Sequence, residues 1–220
     1  MDIQLYRAVL AAIQVSRKDV FGTSDDQLPV SEPEDATIPQ IGFIGHRYYS
    51  GGTLLLGINP GGGGNAYSRT AADSHLLPLI QRLRDGEASP GNLKAMFDQY
   101  IENLQSWNLW RIVNPTLNAC GITQHEIAYL NWCPFRTRGD ALPQAHAMRR
   151  SRATYLAPLV GNLAPGRIIA LGKKVGNWLE KEPLGAATQY VVPRTIGDSR
   201  LSSDAIEVLE EIRRSSRHGN

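Results

Sequence analysis

Thr53-Leu54-Leu55-Leu56-Gly57-Ile58 runs directly into Asn59-Pro60-Gly61-Gly62-Gly63-Gly64, and this junction decides the fold. A short continuous apolar run bounded by glycines is the pattern of a strand covered on both faces. Three further runs read the same way. They are Glu126-Ile127-Ala128-Tyr129-Leu130-Asn131, leading into Trp132-Cys133-Pro134-Phe135; residues 167–171, ending at Gly172; and Tyr190-Val191-Val192, ended by Pro193. Helical periodicity fills the intervals at 72–84, at 92–109 with a shorter piece to 118, at 142–163 despite Pro158, and at 173–179. A helix over 2–21 precedes the set, and one starting near Ser202 or Ser203 closes it, with Ile206, Leu209 and Ile212 on one face. Strands separated by helical crossovers make a parallel sheet with helices on both faces. The expectation is one α/β domain over 1–220 with a central parallel sheet of about four strands. Its core falls at about 41–215, after an N-terminal helix and acidic loop at 1–40.

Composition narrows the function classes. A hydrophobic share of 42% over 220 residues is enough for a full core, and no apolar run approaches the ~20 residues of a membrane helix. Asp2, Arg7, Arg17 and Lys18 interrupt the apolar positions near the start, so no secretory signal is expected and the expected compartment is the cytoplasm. Cys120 and Cys133 are the only cysteines and lack a C-x-x-C spacing, which excludes a disulfide framework and four-cysteine zinc or iron-sulfur sites. No metal and no cofactor are expected. The net charge of +2 conceals an asymmetry: residues 1–135 hold 9 Lys/Arg against 13 Asp/Glu, and 136–220 hold 14 against 8, or −4 and +6. A basic half attracts phosphate without regard to sequence, although a solvated surface explains it as well.

In a parallel sheet the ligand site lies outside the carboxyl ends of the strands. Three polar loops follow strands here: residues 57–64, residues 131–135, and Val192-Pro193-Arg194-Thr195-Ile196-Gly197-Asp198-Ser199-Arg200. They are expected to converge. The first matches a dinucleotide fingerprint poorly, because Pro60 has no N–H to offer a phosphate and no acidic residue follows in an obvious second strand. The Walker pattern fails, since no Gly-Lys-Ser/Thr follows the glycines. None of the five histidines forms an H-x-x-x-H pair; His46, ahead of the first strand, is the one expected to border the site through Gly45-His46-Arg47-Tyr48, with an ordinary polar surface residue as the competing role.

Order and context of the three loops carry a resemblance. Gly57-Ile58-Asn59-Pro60-Gly61 after an apolar strand resembles motif A of the uracil-DNA glycosylase superfamily, in the Gly-x-Asn-Pro-Gly form of its mismatch-specific and single-strand-selective branches. Asn131-Trp132-Cys133-Pro134 resembles the Asn-x-Cys-Pro segment of the single-strand-selective branch. Val192-Pro193 and the loop after it fall where that superfamily has motif B, the loop that wedges into DNA. The resemblance spans about residues 41–201. It implies hydrolysis of the N-glycosidic bond of uracil or a related deaminated base, flipped out of DNA into a pocket. By that resemblance Asn59 holds the attacking water and Asn131 reads the base, its amide pairing with O4 and N3–H of uracil. Gly57 and Ile58 line the base pocket, and Tyr67 or Phe135 stacks on the base. The competing roles are a turn residue for Asn59, a strand-end cap for Asn131 and core packing for the aromatics.

One departure concerns motif B, which commonly begins His-Pro-Ser where this chain has Val192-Pro193; the mismatch-specific branch also lacks that histidine. Arg194, Ser199 and Arg200 are candidates to meet the leaving base or a phosphate. Arg136, Arg138 and Lys173 are candidates to track phosphates, as are the arginines at 149, 150 and 152 and Lys174, with solvated surface as the competing role throughout. The partner expected is DNA with a damaged base, bound by a monomer with no obligate protein partner. The alternative is a non-catalytic nucleic-acid or base-binding protein of the same fold, and a third reading is a nucleotide-dependent enzyme using the glycine loop.

Overall fold

The structure, a computed structural model, describes residues 2–61, 69–194 and 201–218. Five strands form one sheet: β1 (Gly42–Ile44), β2 (Thr53–Gly57), β3 (Ile127–Asn131), β4 (Arg167–Leu171) and β5 (Thr188–Val192). Their order is β1-β3-β2-β4-β5. The strands β2 to β5 run parallel and correspond to the four read from sequence, while β1 pairs antiparallel with β3. The sheet is thus five-stranded and mixed rather than four-stranded and parallel. Three residues are too few for a periodicity to register. Gly42 admits β1: it sits at φ +109°, and a Cβ there would lie 1.9 Å from the carbonyl oxygen of Tyr129.

The helices are α1 (Ile3–Gln14), α2 (Arg17–Phe21), α3 (Ala71–Arg84), α4 (Pro90–Leu104), α5 (Trp110–Cys120), α6 (Ala145–Ser151), α7 (Ala157–Leu163), α8 (Lys173–Lys181) and α9 (Ser203–His218). The single helix expected over 2–21 is two, because Ser16 and Asp19 form a reciprocal capping box that starts α2 afresh. The helix expected over 92–109 stops at Leu104, and α5 ends on left-handed Gly121. Helix over 142–163 begins only at Ala145, and a π-helical turn, Arg152–Leu156, joins α6 to α7. That wider turn, in which Ala157 N–H reaches the Arg152 carbonyl, puts Pro158 in the first turn of α7, where its missing N–H is tolerated.

All five residues of β2 and all five of β3 are buried. Successive side chains on a strand point to opposite faces, so both faces of the sheet are covered. On β5 the alternation is explicit. Val191 packs on α8 so closely that a Cβ at Gly176 would lie 2.4 Å from its Cγ1, while the neighbouring Tyr190 hydroxyl donates to Ser215 Oγ on α9 at 3.0 Å. Helix α5 packs beside α9, and α1 packs against α3 and α7. Leu54, Leu55 and Leu56 are each fully buried, and sequestering one such side chain is worth roughly 1.5–3 kcal/mol. The acidic stretch after α2 is fastened down. Asp25 pairs with Arg17 at 2.5 Å, Asp35 pairs with Arg69, and Gln27 bonds the Leu142 carbonyl and the Gln144 N–H. Among the described residues no helix is long and apolar enough to cross a membrane.

Candidate functional site

Strand β2 is the switch point of the sheet. The chain leaves it to form β3 on one side and later returns to place β4 on the other, so the connections diverge over the carboxyl end of β2, the position at which sheets of this kind hold their ligands. The parallel ladder continues beyond the strands: Trp132 N–H donates to the Gly57 carbonyl and Cys133 N–H to the Ile58 carbonyl, both at 2.8 Å. Two of the polar loops therefore run side by side from Gly57 and Asn131, which are directly paired. Glycine at 57 makes room for what β3 projects toward it. A Cβ there would lie 2.8 Å from the Tyr129 hydroxyl and 2.9 Å from Asn131 Oδ1. Gly57 is buried and Ile58 half-buried.

Asn131 is 3% exposed. Its Nδ2 donates to the Gln40 carbonyl at 2.9 Å and its Oδ1 accepts from the Tyr129 hydroxyl at 3.0 Å. Since a carbonyl only accepts, the amide orientation is determined by Gln40. Among the described residues, nothing takes up its second Nδ2 hydrogen or its second Oδ1 lone pair. Burial pushes the Tyr129 hydroxyl well above its ordinary pKa, partly opposed by the charge of Arg194, so it stays protonated and donates. Neither Tyr129 nor Gln40 is singled out by sequence; the signal for Tyr129 is its i, i+2 spacing from Asn131, which puts both on one face.

Asn59 is half-buried. Its Nδ2 donates to Thr137 Oγ1 at 3.2 Å and to the Pro60 carbonyl at 3.4 Å. Among the described residues nothing donates to its Oδ1. The turn-residue role and an acceptor with no donor among the described residues therefore coexist in one side chain. Thr137, fully buried, is a third residue that sequence reasoning misses.

The third loop leaves β5 beside the end of β4, and its described residues beyond the strand are Pro193 and Arg194. Arg194 is exposed, it lies over the end of β4 where a Cβ at Gly172 would be 3.8 Å from its own Cβ, and its charge is felt at the Tyr129 hydroxyl. Lys173, at the start of α8, is exposed and bonds Asp204 at 3.1 Å. Arg138 is exposed, with Nε on the Leu28 carbonyl at 3.0 Å. Tyr67, Ser199 and Arg200 lie outside the described residues.

Two expected site residues are corrected. Arg136 is not a phosphate contact in this conformation: it is 7% exposed and its guanidinium holds Asp73 at 2.5 Å. Phe135 is not a stacking platform. It is fully buried, edge-on to Phe21 with ring centroids 6.4 Å apart. Both residues point inward where the loop after β3 crosses α2 and α3. Val192 is likewise fully buried. Arg149 and Arg152 pair with Glu182, just past the far end of α8 from Gly172.

His46 does not border the carboxyl end of β2. β1 runs antiparallel, so its end at Ile44 returns the chain to the amino end of β3, where His46 meets His125 with ring centroids 4.6 Å apart. The segment lines a separate cavity of about 570 Å³ with α1 and α4. Cys133 is no nucleophile, its thiol being pushed up to about 12 by burial. Among the described residues no group of three or more His, Cys, Asp or Glu is placed to hold a metal ion. No protein-family model and no curated protein sequence matches the chain.

Proposed function

We propose that the protein is a DNA glycosylase that hydrolyses the N-glycosidic bond of uracil or a related deaminated base, the base being flipped from the stack toward the carboxyl end of β2. The observation that carries the reading is the state of Asn59. At the switch point of the sheet, its donor group is committed to Thr137 and Pro60, while among the described residues nothing donates to its Oδ1. An acceptor held in that way suits a water aimed at the sugar C1′. The bond from C1′ to the base nitrogen breaks, the base leaves as an anion, the water adds its oxygen to C1′, and the proton it loses passes to the departing base anion. An amide is no strong base, so Asn59 positions the water rather than deprotonating it. The chemistry is slow on this account.

Asn131 supports the reading with the donor hydrogen and the lone pair that Gln40 and Tyr129 leave over. One donor and one acceptor side by side fit the Watson-Crick edge of uracil and oppose that of cytosine. Arg194 supports it with an exposed cation over the end of β4, suited to an anionic leaving base or a phosphate.

The test is base release from oligonucleotides carrying one uracil, single-stranded and opposite G or A. Alkali-sensitive strand breakage that Asn59→Ala and Asn131→Ala both abolish is expected. The second reading, a non-catalytic binder of nucleic acid or a free base, is favoured by valine at 192, where motif B commonly has a histidine, and by the burial of Phe135, which removes one candidate stacking ring. Retained DNA binding without release of uracil, hypoxanthine or xanthine selects it.

A further inference from the structure

We propose that Thr137 is the positioning residue that sets the polarity of Asn59, an assignment that rests on the glycosylase reading above. A threonine hydroxyl has one hydrogen to give. Here the Ala141 carbonyl takes it at 2.6 Å, and a carbonyl cannot return one. Only lone-pair density is left on Thr137 Oγ1 toward Asn59, 3.2 Å away, so the NH₂ end of the amide must face it. The Pro60 carbonyl at 3.4 Å makes the same demand. Turning the amide over would set its carbonyl oxygen against two acceptors and forfeit both bonds. Oδ1 is therefore held outward.

The backbone supplies the Ala141 carbonyl. Thr137 precedes a 3-10 turn, Arg138–Asp140, in which Gly139 at φ 62° and Asp140 at φ 53° are both left-handed. This double step brings the carbonyl four residues on back to the hydroxyl. A non-glycine residue in that region is strained, and the strain is spent on a contact that decides the direction of one proton.

Direction matters to the reaction. An outward Oδ1 accepts a hydrogen of the water and leaves a water lone pair to attack C1′. An outward NH₂ would donate to the water oxygen and occupy the electrons that must form the new bond.

The experiment compares Thr137→Val, Thr137→Ala and Thr137→Ser in base release from a uracil oligonucleotide, together with the side-chain amide resonances of Asn59 in ¹⁵N NMR, assigned with Asn59→Asp. Val and Ala are expected to lower kcat by about tenfold or more with KM within about twofold of wild type, and Ser to stay within about threefold on both. The Asn59 amide signals are expected to move in Val and Ala, to stay in Ser, and to leave the Asn131 signals unmoved in all three. Wild-type kcat in Val or Ala, or equal damage in Ser, overturns the assignment while the glycosylase reading stands. Absence of base release from the wild type overturns the glycosylase reading and the catalytic role together. Unmoved Asn59 signals in Val and Ala overturn the orientation itself.

Discussion

Replacing Arg136 by Met separates a structural cation from a DNA-binding one. The guanidinium is 7% exposed and meets Asp73 at 2.5 Å, and Asp73 is itself 5% exposed and accepts from the Thr70 N–H and hydroxyl at the start of α3. Methionine keeps much of the length and removes the charge that faces the buried Asp73 carboxylate. Breaking a buried pair from one side costs about 3–5 kcal/mol. An unfolding entropy of about 2.1 cal/mol/K per residue over 220 residues comes to about 0.46 kcal/mol/K. The expected fall in Tm is therefore about 7–11 °C. Adding Asp73→Asn should recover part of it, because an amide still accepts from Thr70 and carries no charge to strand. Thermal unfolding by circular dichroism measures both, and oligonucleotide binding across a salt series gives the second axis. An unchanged Tm in Arg136→Met, with weakened binding and a salt slope smaller by about one, would refute the structural assignment and return Arg136 to the phosphate-contacting set.

Three other outcomes are expected. Gly57→Ala drives a methyl to 2.8 Å from the Tyr129 hydroxyl and 2.9 Å from Asn131 Oδ1, both on buried side chains; overpacking of this kind costs about 1–3 kcal/mol, and the displaced Asn131 should abolish base release, which a stability and activity assay reads together. Lys173→Ala should leave Tm unchanged, since its pair with Asp204 is exposed on both sides, and should reduce the salt slope of DNA binding by about one if that helix start meets a phosphate. Burial raises the Asp73 pKa, but the Thr70 hydrogen bonds and Arg136 outweigh it and hold the carboxyl below its ordinary value. The native state then binds fewer protons than the unfolded chain, whose carboxyl titrates near ~3.9. This stabilisation is complete above about pH 4 and fades as the pH falls through the lower native value, so denaturant titrations should show Asp73→Asn with a flatter acid limb than wild type.

The four parallel strands are legible in the sequence because each is a local apolar run, and steric preferences within a few residues suffice to specify it. So are the residue types at the strand ends: Gly57, Asn59 and Asn131 sit where a parallel sheet keeps its ligands, whatever the ligand proves to be. The added strand β1 is not legible, since its existence depends on Gly42 fitting against the backbone of a strand almost ninety residues later. Arg136 and Phe135 show the same limit at the site. Their chemistry advertises phosphate and base, but partners far off in sequence, Asp73 and Phe21, turn both inward. Thr137 and Tyr129 are the converse, ordinary residues in the sequence whose hydroxyl hydrogens the packed structure directs to the Ala141 carbonyl and to Asn131 Oδ1. Local periodicity is decided by neighbours along the chain. The direction of a side chain and the valences it has left are decided by neighbours in space, and only the packed structure supplies those.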